Sequence, residues 1–238
     1  MTKRAKKTLV YLGPTLPASE VRLPNAELHP PAAVGDILRA SQRTDVARIV
    51  LVDGYFERMA AVWHKELLLA LERGIVVYGA ASMGALRAAE LHPFGMIGVG
   101  AIYRAYRDRE LTADDEVAVA HLPAEHGFRA ISDALVNLRH GLAEAARARL
   151  ITTRTRDALI DLARARFYRD RSWAQRLADG RAARLPARQL DALARWPKPD
   201  AKARDARLVI DRVARDHGPK RPRFRVPRTW ALRQLLAM

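Results

Sequence analysis

Residues Ile75–Leu91 read IVVYGAASMGALRAAEL. Ile75–Tyr78 is an unbroken apolar run without polar alternation, the pattern of a strand buried on both faces. Gly79–Ser82 are small and end the run. Met83–Leu91 then reads as a helix, with Ser82 at its natural N-cap. A buried strand passing through a tight turn into a helix is the half-unit of a parallel sheet. Similar units precede it. Arg48–Val52 (RIVLV) ends in Asp53-Gly54, and Val62–Arg73 is an amphipathic helix stopped by Gly74. Thr8–Leu12 is a shorter β-type run ended by Gly13-Pro14, and Val34–Ser41 reads as a helix. The expectation is an α/β protein: a Rossmann-like three-layer parallel sheet followed by an α-helical C-terminal extension. In such sheets ligands bind at the carboxyl ends of the strands. Gly13-Pro14-Thr15, Asp53-Gly54-Tyr55 and Gly79–Gly84 converge there.

Past Leu91 the reading is a Gly-punctuated loop, HPFGMIGVG, and a helix from Ala101 to about Arg107. Thr112–His121 (TADDEVAVAH) opens on three acids and ends in an alternating run. A long helix is expected over Ser132–Leu150. Arg-rich helical segments follow at Thr153–Arg169, Ser172–Asp179, Ala187–Ala194 and Ala201–Arg215. The tail KRPRFRVPR (Lys220–Arg228) is basic and Pro-interrupted, and is expected to be disordered or to fold on a partner. The boundary expected on these grounds sets an α/β domain, 1–151, against a basic helical extension, 152–238.

The 238 residues are 49% hydrophobic, enough for a sizeable core, and no apolar run approaches the length of a membrane span. The apolar stretch near the N-terminus, Leu9–Leu12, is too short for a signal-peptide core, so a cytoplasmic location is expected. Cysteine is absent, which excludes disulfides and a thiol nucleophile. The net charge of +16 is confined to one part of the chain. Residues 1–146 carry 17 Lys/Arg and 17 Asp/Glu, and residues 147–238 carry 25 and 9. That basic region is either a set of solvated helix faces or a docking surface for an acidic protein or nucleic acid.

Chemistry concentrates around Ser82. Ala80-x-Ser82-x-Gly84 between strand and helix is similar to a nucleophile elbow, with small neighbours to admit a tight turn. The amides of Met83 and Gly84 would then form an oxyanion or anion-binding site at the helix start. Ser82 is accordingly a nucleophile, an anion-binding cap or a simple cap. His64, at the start of a helix, is a general base or an ordinary first-turn residue. Asp53 faces a ligand at the end of a strand or caps its turn. Arg87 faces the pocket or forms a surface pair with Glu90. Asp114-Asp115-Glu116 with His121 matches no zinc spacing, so no metal is expected. Neither G-x-G-x-x-G nor a Walker sequence occurs, so neither nucleotide nor any other cofactor is expected.

Eight segments in order resemble the TfuA-like proteins from about Val10 to Ile151. They are YLGPTLP (Tyr11–Pro17), HPPAAVGDI (His29–Ile37), VDGYF (Val52–Phe56), VWHKELLLAL (Val62–Leu71), YGAASMGALRAAEL (Tyr78–Leu91), FGMIGVGAIYRAY (Phe94–Tyr106), DDEVAVAH (Asp114–His121) and LVNLRHGL (Leu135–Leu142). The resemblance implies a place beside a YcaO enzyme, which phosphorylates a backbone amide oxygen for displacement by a nucleophile. With sulfide the product is a thioamide. TfuA-like proteins are thought to release that sulfide from the C-terminal thiocarboxylate of a ubiquitin-like sulfur-carrier protein. The implied partners are the YcaO enzyme, the carrier and the precursor peptide, with nucleic acid and membrane not expected. On this reading Ser82 is the nucleophile or the thiocarboxylate anchor, His64 or His121 the base, and Asp53 or Glu66 its orienter. Gly13, Pro14, Gly54, Gly79, Met83, Gly84 and Arg87 line the substrate. The alternative is a non-enzymatic adaptor that activates YcaO or presents its peptide or carrier.

Overall fold

The computed structural model describes residues 6–56, 60–198, 200–216 and 225–237. The chain runs β1 (Lys7–Tyr11), β2 (Ala26–His29), α1 (Asp36–Gln42), β3 (Val46–Leu51), α2 (His64–Glu72), β4 (Val76–Ala80), α3 (Met83–Leu91), β5 (Ile97–Val99) and α4 (Ala101–Arg107). It continues through α5 (Leu135–Arg147), α6 (Thr153–Ala165), α7 (Trp173–Ala182), α8 (Ala187–Ala194), α9 (Ala201–Arg215) and α10 (Trp230–Ala237). Two compact units result. One joins Met1–Thr112 to Ala203–Met238, and the other is Ala113–Lys202. This division does not fall at 151/152, because the chain returns to the sheet after Lys202.

The sheet is parallel throughout, in the order β2-β1-β3-β4-β5. The order reverses between β1 and β3, the switch point at which doubly wound sheets open a crevice. Beyond the three strands legible in the sequence lie β2 and β5. The short β5 sits in the glycine-rich stretch read as loop, with Gly98 paired to Gly79 of β4. Thr112–His121 is not a strand. Asp114–Glu116 is one 3₁₀ turn, and a single bridge joins His121 to Ala130.

Strand side chains alternate between the two faces. Leu9, Ile49, Leu51 and Val77 are buried on the face over which α2 and α3 pack. Val10, Val50, Val52, Tyr78 and Ala80 point the other way and meet Ala203, Ala206, Val209, Ile210 and Val213 of α9. Those five recur every three to four residues, a single apolar stripe along an otherwise Arg-rich helix. The segment assigned on charge to an appendage therefore supplies the second helical layer of the sheet. The tail is likewise not free: Val226 and Leu232 are buried against Leu38 and Leu69. Lys220–Phe224 of the quoted tail lie outside the described residues.

The Ala113–Lys202 unit is a small helical bundle. Leu142, Leu159, Leu177, Leu190 and Leu193 form its core. Glu116 accepts three hydrogen bonds from Arg139, two from Nε at 2.9 and 3.1 Å and one from Nη2 at 2.7 Å. Among the described residues no helix is long and apolar enough to cross a membrane.

Candidate functional site

The turn after β4 is strained. Ala81 has φ +66°, and the Ser82 N–H donates to the Ala80 carbonyl at 2.8 Å, closing a three-residue turn. Ser82 then begins α3. Its carbonyl accepts from Ala85 N–H at 2.9 Å, but its side chain makes no capping bond. Ser82 is 7% exposed, and among the described residues its hydroxyl has no hydrogen-bond partner. In a nucleophile elbow the nucleophile itself occupies the sharp, strained position. Here Ala81 does, one residue early.

The glycines around it are used for close packing. A Cβ on Gly84 would lie 1.8 Å from the Leu51 carbonyl oxygen, and one on Gly79 would lie 2.1 Å from the Gly84 oxygen. The Gly84 N–H is spent on the Val52 carbonyl at 3.1 Å, so it is not an oxyanion donor. The Met83 N–H, at the first position of the helix, has no partner among the described residues. Met83 packs over Gly54, where a Cβ would come within 2.8 Å of its Cγ.

Asp53 is 1% exposed and fully engaged. Oδ2 accepts from the Gly13 and Thr15 amides at 2.9 and 3.1 Å, and Oδ1 accepts from the Thr15 hydroxyl at 2.5 Å. Pro14, lacking an N–H, sits between the two donors. Asp53 thus ties the loop after β1 to the end of β3 across the switch point. Glu66 is wholly buried, accepting from the Gly35 and Leu38 amides at 2.8 and 3.2 Å and from Trp63 N–H at 3.2 Å. Burial raises its pKa even against these three donors. It fixes the starts of α1 and α2 and does not touch His64. Neither Asp53 nor Glu66 is hydrogen-bonded to His64; the carboxylate that meets the imidazole belongs to another residue.

That residue is Glu90. Its Oε2 lies 2.7 Å from His64 Nε2 and accepts from Arg87 Nη1 at 2.8 Å. Arg87 Nε donates to the Val62 carbonyl at 3.0 Å, clamping the entry to α2 onto α3. Burial acts to raise the Glu90 pKa, but the bonds from His64 and Arg87 prevail and hold it below the ordinary glutamate value. Arg87 Nη1 also lies 3.4 Å from His64 Nε2. No hydrogen bond joins His64 to Ser82. No sequence signal could have paired His64 with Glu90, since they sit on different helices. His121 belongs to the Ala113–Lys202 unit, where Nδ1 lies 2.8 Å from the Leu122 carbonyl and the ring meets Phe128 edge-on.

The sequence profile of the TfuA-like proteins matches residues 53–172, half of the chain. The chain belongs to the TfuA-like family. Comparison with curated proteins gave no match. The matched region of this TfuA-like protein begins at Asp53 and takes in His64, Ser82, Arg87 and Glu90. Its family is associated with thioamidation. Among the described residues no group of three or more His, Cys, Asp or Glu side chains is arranged to hold a metal.

Proposed function

We propose that this TfuA-like protein releases sulfide from the C-terminal thiocarboxylate of a ubiquitin-like sulfur carrier, for a YcaO enzyme that forms a backbone thioamide. The observation that carries the reading is the His64–Glu90–Arg87 cluster, in which Arg87 and Glu90 on the helix that Ser82 begins hold His64 of α2. Glu90 holds the imidazole as carboxylates hold catalytic histidines. The Ser82 hydroxyl and the Met83 amide anchor the thiocarboxylate, and the start of α3 offsets its charge. His64 takes a proton from water as its oxygen attacks the carbonyl carbon. The C–S bond then breaks, giving carboxylate and hydrogen sulfide. Water as nucleophile suits the geometry better than Ser82, which is off the strained position of an elbow and has no base bonded to it. The peptide that receives the sulfur is bound by YcaO, and the reaction takes place in the cytoplasm.

The test is sulfide release from a thiocarboxylated carrier without ATP. Loss with His64→Ala and a partial loss with Ser82→Ala are expected. Complete loss with Ser82→Ala, with an acyl-enzyme trapped on Ser82, would make the serine the nucleophile. No release by the wild-type protein would sink the hydrolase reading.

A second reading, an adaptor that binds YcaO and its carrier, is favoured by one observation. The Gly84 amide is consumed by Val52, leaving one backbone donor where an oxyanion hole uses two. Sulfide release by YcaO and carrier that needs the chain but survives loss of His64 would support it.

A further inference from the structure

Two arginines in the Ala113–Lys202 unit are buried, Arg171 at 2% exposure and Arg176 at 1%. Arg171 is fully served. Its Nε donates to the Ala163 and Arg166 carbonyls at 3.0 and 3.1 Å, and its Nη atoms reach the Asp115 carbonyl at 3.0 Å and carboxylate at 2.6 Å. Arg176, five residues on, has no acceptor for Nε, Nη1 or Nη2. Its guanidinium carbon lies 3.3 Å from the centroid of the Trp173 ring, so the face is stacked and the donor edge is left unmatched.

The neighbourhood is short of acceptors and of one negative charge. The indole N–H groups of Trp173 and Trp196 are also buried and unpartnered. The nearby carboxylate, Asp133, is already occupied. Oδ2 accepts from the Trp173 backbone N–H at 2.7 Å, and Oδ1 accepts from the Lys198 ammonium. Arg176 and Lys198 thus share one anion. A buried guanidinium with no counter-charge costs several kcal/mol (order of magnitude), which natural sequences avoid unless something pairs with it. Burial lowers the Arg176 pKa to about 9, which still leaves it cationic at neutral pH.

We propose that Arg176 is the floor of a carboxylate-binding site in this unit. The guanidinium fork matches two oxygens of one carboxylate, and a single negative charge balances the cluster. Trp173 holds the fork flat. Lys198, the most exposed polar group of the cluster, lies at the solvent side. The ligand is either a free small carboxylate or the C-terminal carboxylate of a peptide chain. Neither Ser82 nor His64 takes part, so the site stands or falls apart from sulfide release.

The test uses the full chain, titrated with sodium acetate against sodium chloride at equal ionic strength. Tryptophan fluorescence and melting temperature are followed. Wild type should show a saturable change and a rise in melting temperature. Arg176→Met should melt no lower than unliganded wild type and should not respond. Arg176→Lys, which keeps the charge without the fork, should bind at least tenfold more weakly. N-acetylglycine binding tenfold tighter than acetate would identify a chain terminus as the source, and equal binding a free carboxylate. The proposal is overturned if wild type gives no saturable response, if Arg176→Met responds as wild type does, or if N-acetylglycinamide binds as well as N-acetylglycine.

Discussion

Gly84 and Leu51 meet backbone to backbone: the helix that starts at Ser82 lies so close to β3 that a methyl on Gly84 would sit 1.8 Å from the Leu51 carbonyl oxygen. Helix propensity alone predicts that Gly84→Ala stabilises α3 by about 1 kcal/mol. The clash with main chain reverses the sign. Gly84→Ala should destabilise the protein by about 3 kcal/mol, displacing the start of α3 and lowering any activity that depends on Ser82. Denaturant titration checks this, and an unchanged or raised midpoint would contradict the packing.

Asp53→Asn should cost about 2–3 kcal/mol, because the loop Gly13–Thr15 loses charge-assisted bonds to a buried carboxylate. Faster hydrogen exchange should appear at the Gly13 and Thr15 amides. A variant that keeps its stability while losing activity would instead return Asp53 to the chemistry.

His64→Ala and Glu90→Gln should each lower sulfide release by about 10²-fold or more, as expected for loss of a base or of the group holding it. The double variant should be scarcely worse than His64→Ala, since the two act as one unit. Independent, multiplying effects would rule out that coupling.

Glu90 also predicts a pH effect on stability. Its folded pKa lies below the ordinary glutamate value. The stabilisation is therefore present above the unfolded pKa and is lost as pH falls through the lowered folded one. The carboxylate is 36% exposed, so solvent screening keeps the effect under about 1 kcal/mol. Glu90→Gln should flatten the melting-temperature profile on the acid side by that small amount. An equally steep profile would remove Glu90 from the account.

Val209→Asp, on the buried stripe of α9, should abolish the cooperative melt by placing a charge against Val10 and Val50. Asp211→Ala, on the exposed side of the same helix, should stay within about 0.5 kcal/mol of wild type. Circular dichroism on the pair separates a helix that completes the fold from one that merely follows it.

The parallel sheet was legible because the apolar runs Ile49–Val52 and Ile75–Tyr78 are short, rich in β-branched residues and closely followed by glycine, and they alternate with helical segments. β5 was not, because its three residues, Ile97–Val99, lie among glycines and are too few to carry a period. The role of α9 was hidden for another reason: its composition is dominated by arginine, and only its spacing of Ala203, Ala206, Val209 and Val213 reports the buried face. At the site, Ser82 at the strand–helix turn was readable. The spending of the Gly84 amide, and the partnership of His64 with Glu90, depend on how helices meet and have no local signature.

Ala203 follows Val99 by 104 positions, yet both belong to the same layered unit. The nascent chain consequently emerges from the ribosome with five strands' worth of one sheet face uncovered, and it must synthesise the whole intervening bundle before α9 can cover them. The Ala113–Lys202 bundle, built from local contacts, is free to form first, whereas the α/β unit waits on α9. Vectorial synthesis thus makes this a protein whose aggregation risk peaks late, and co-expressed chaperones that shield apolar surface should raise its soluble yield.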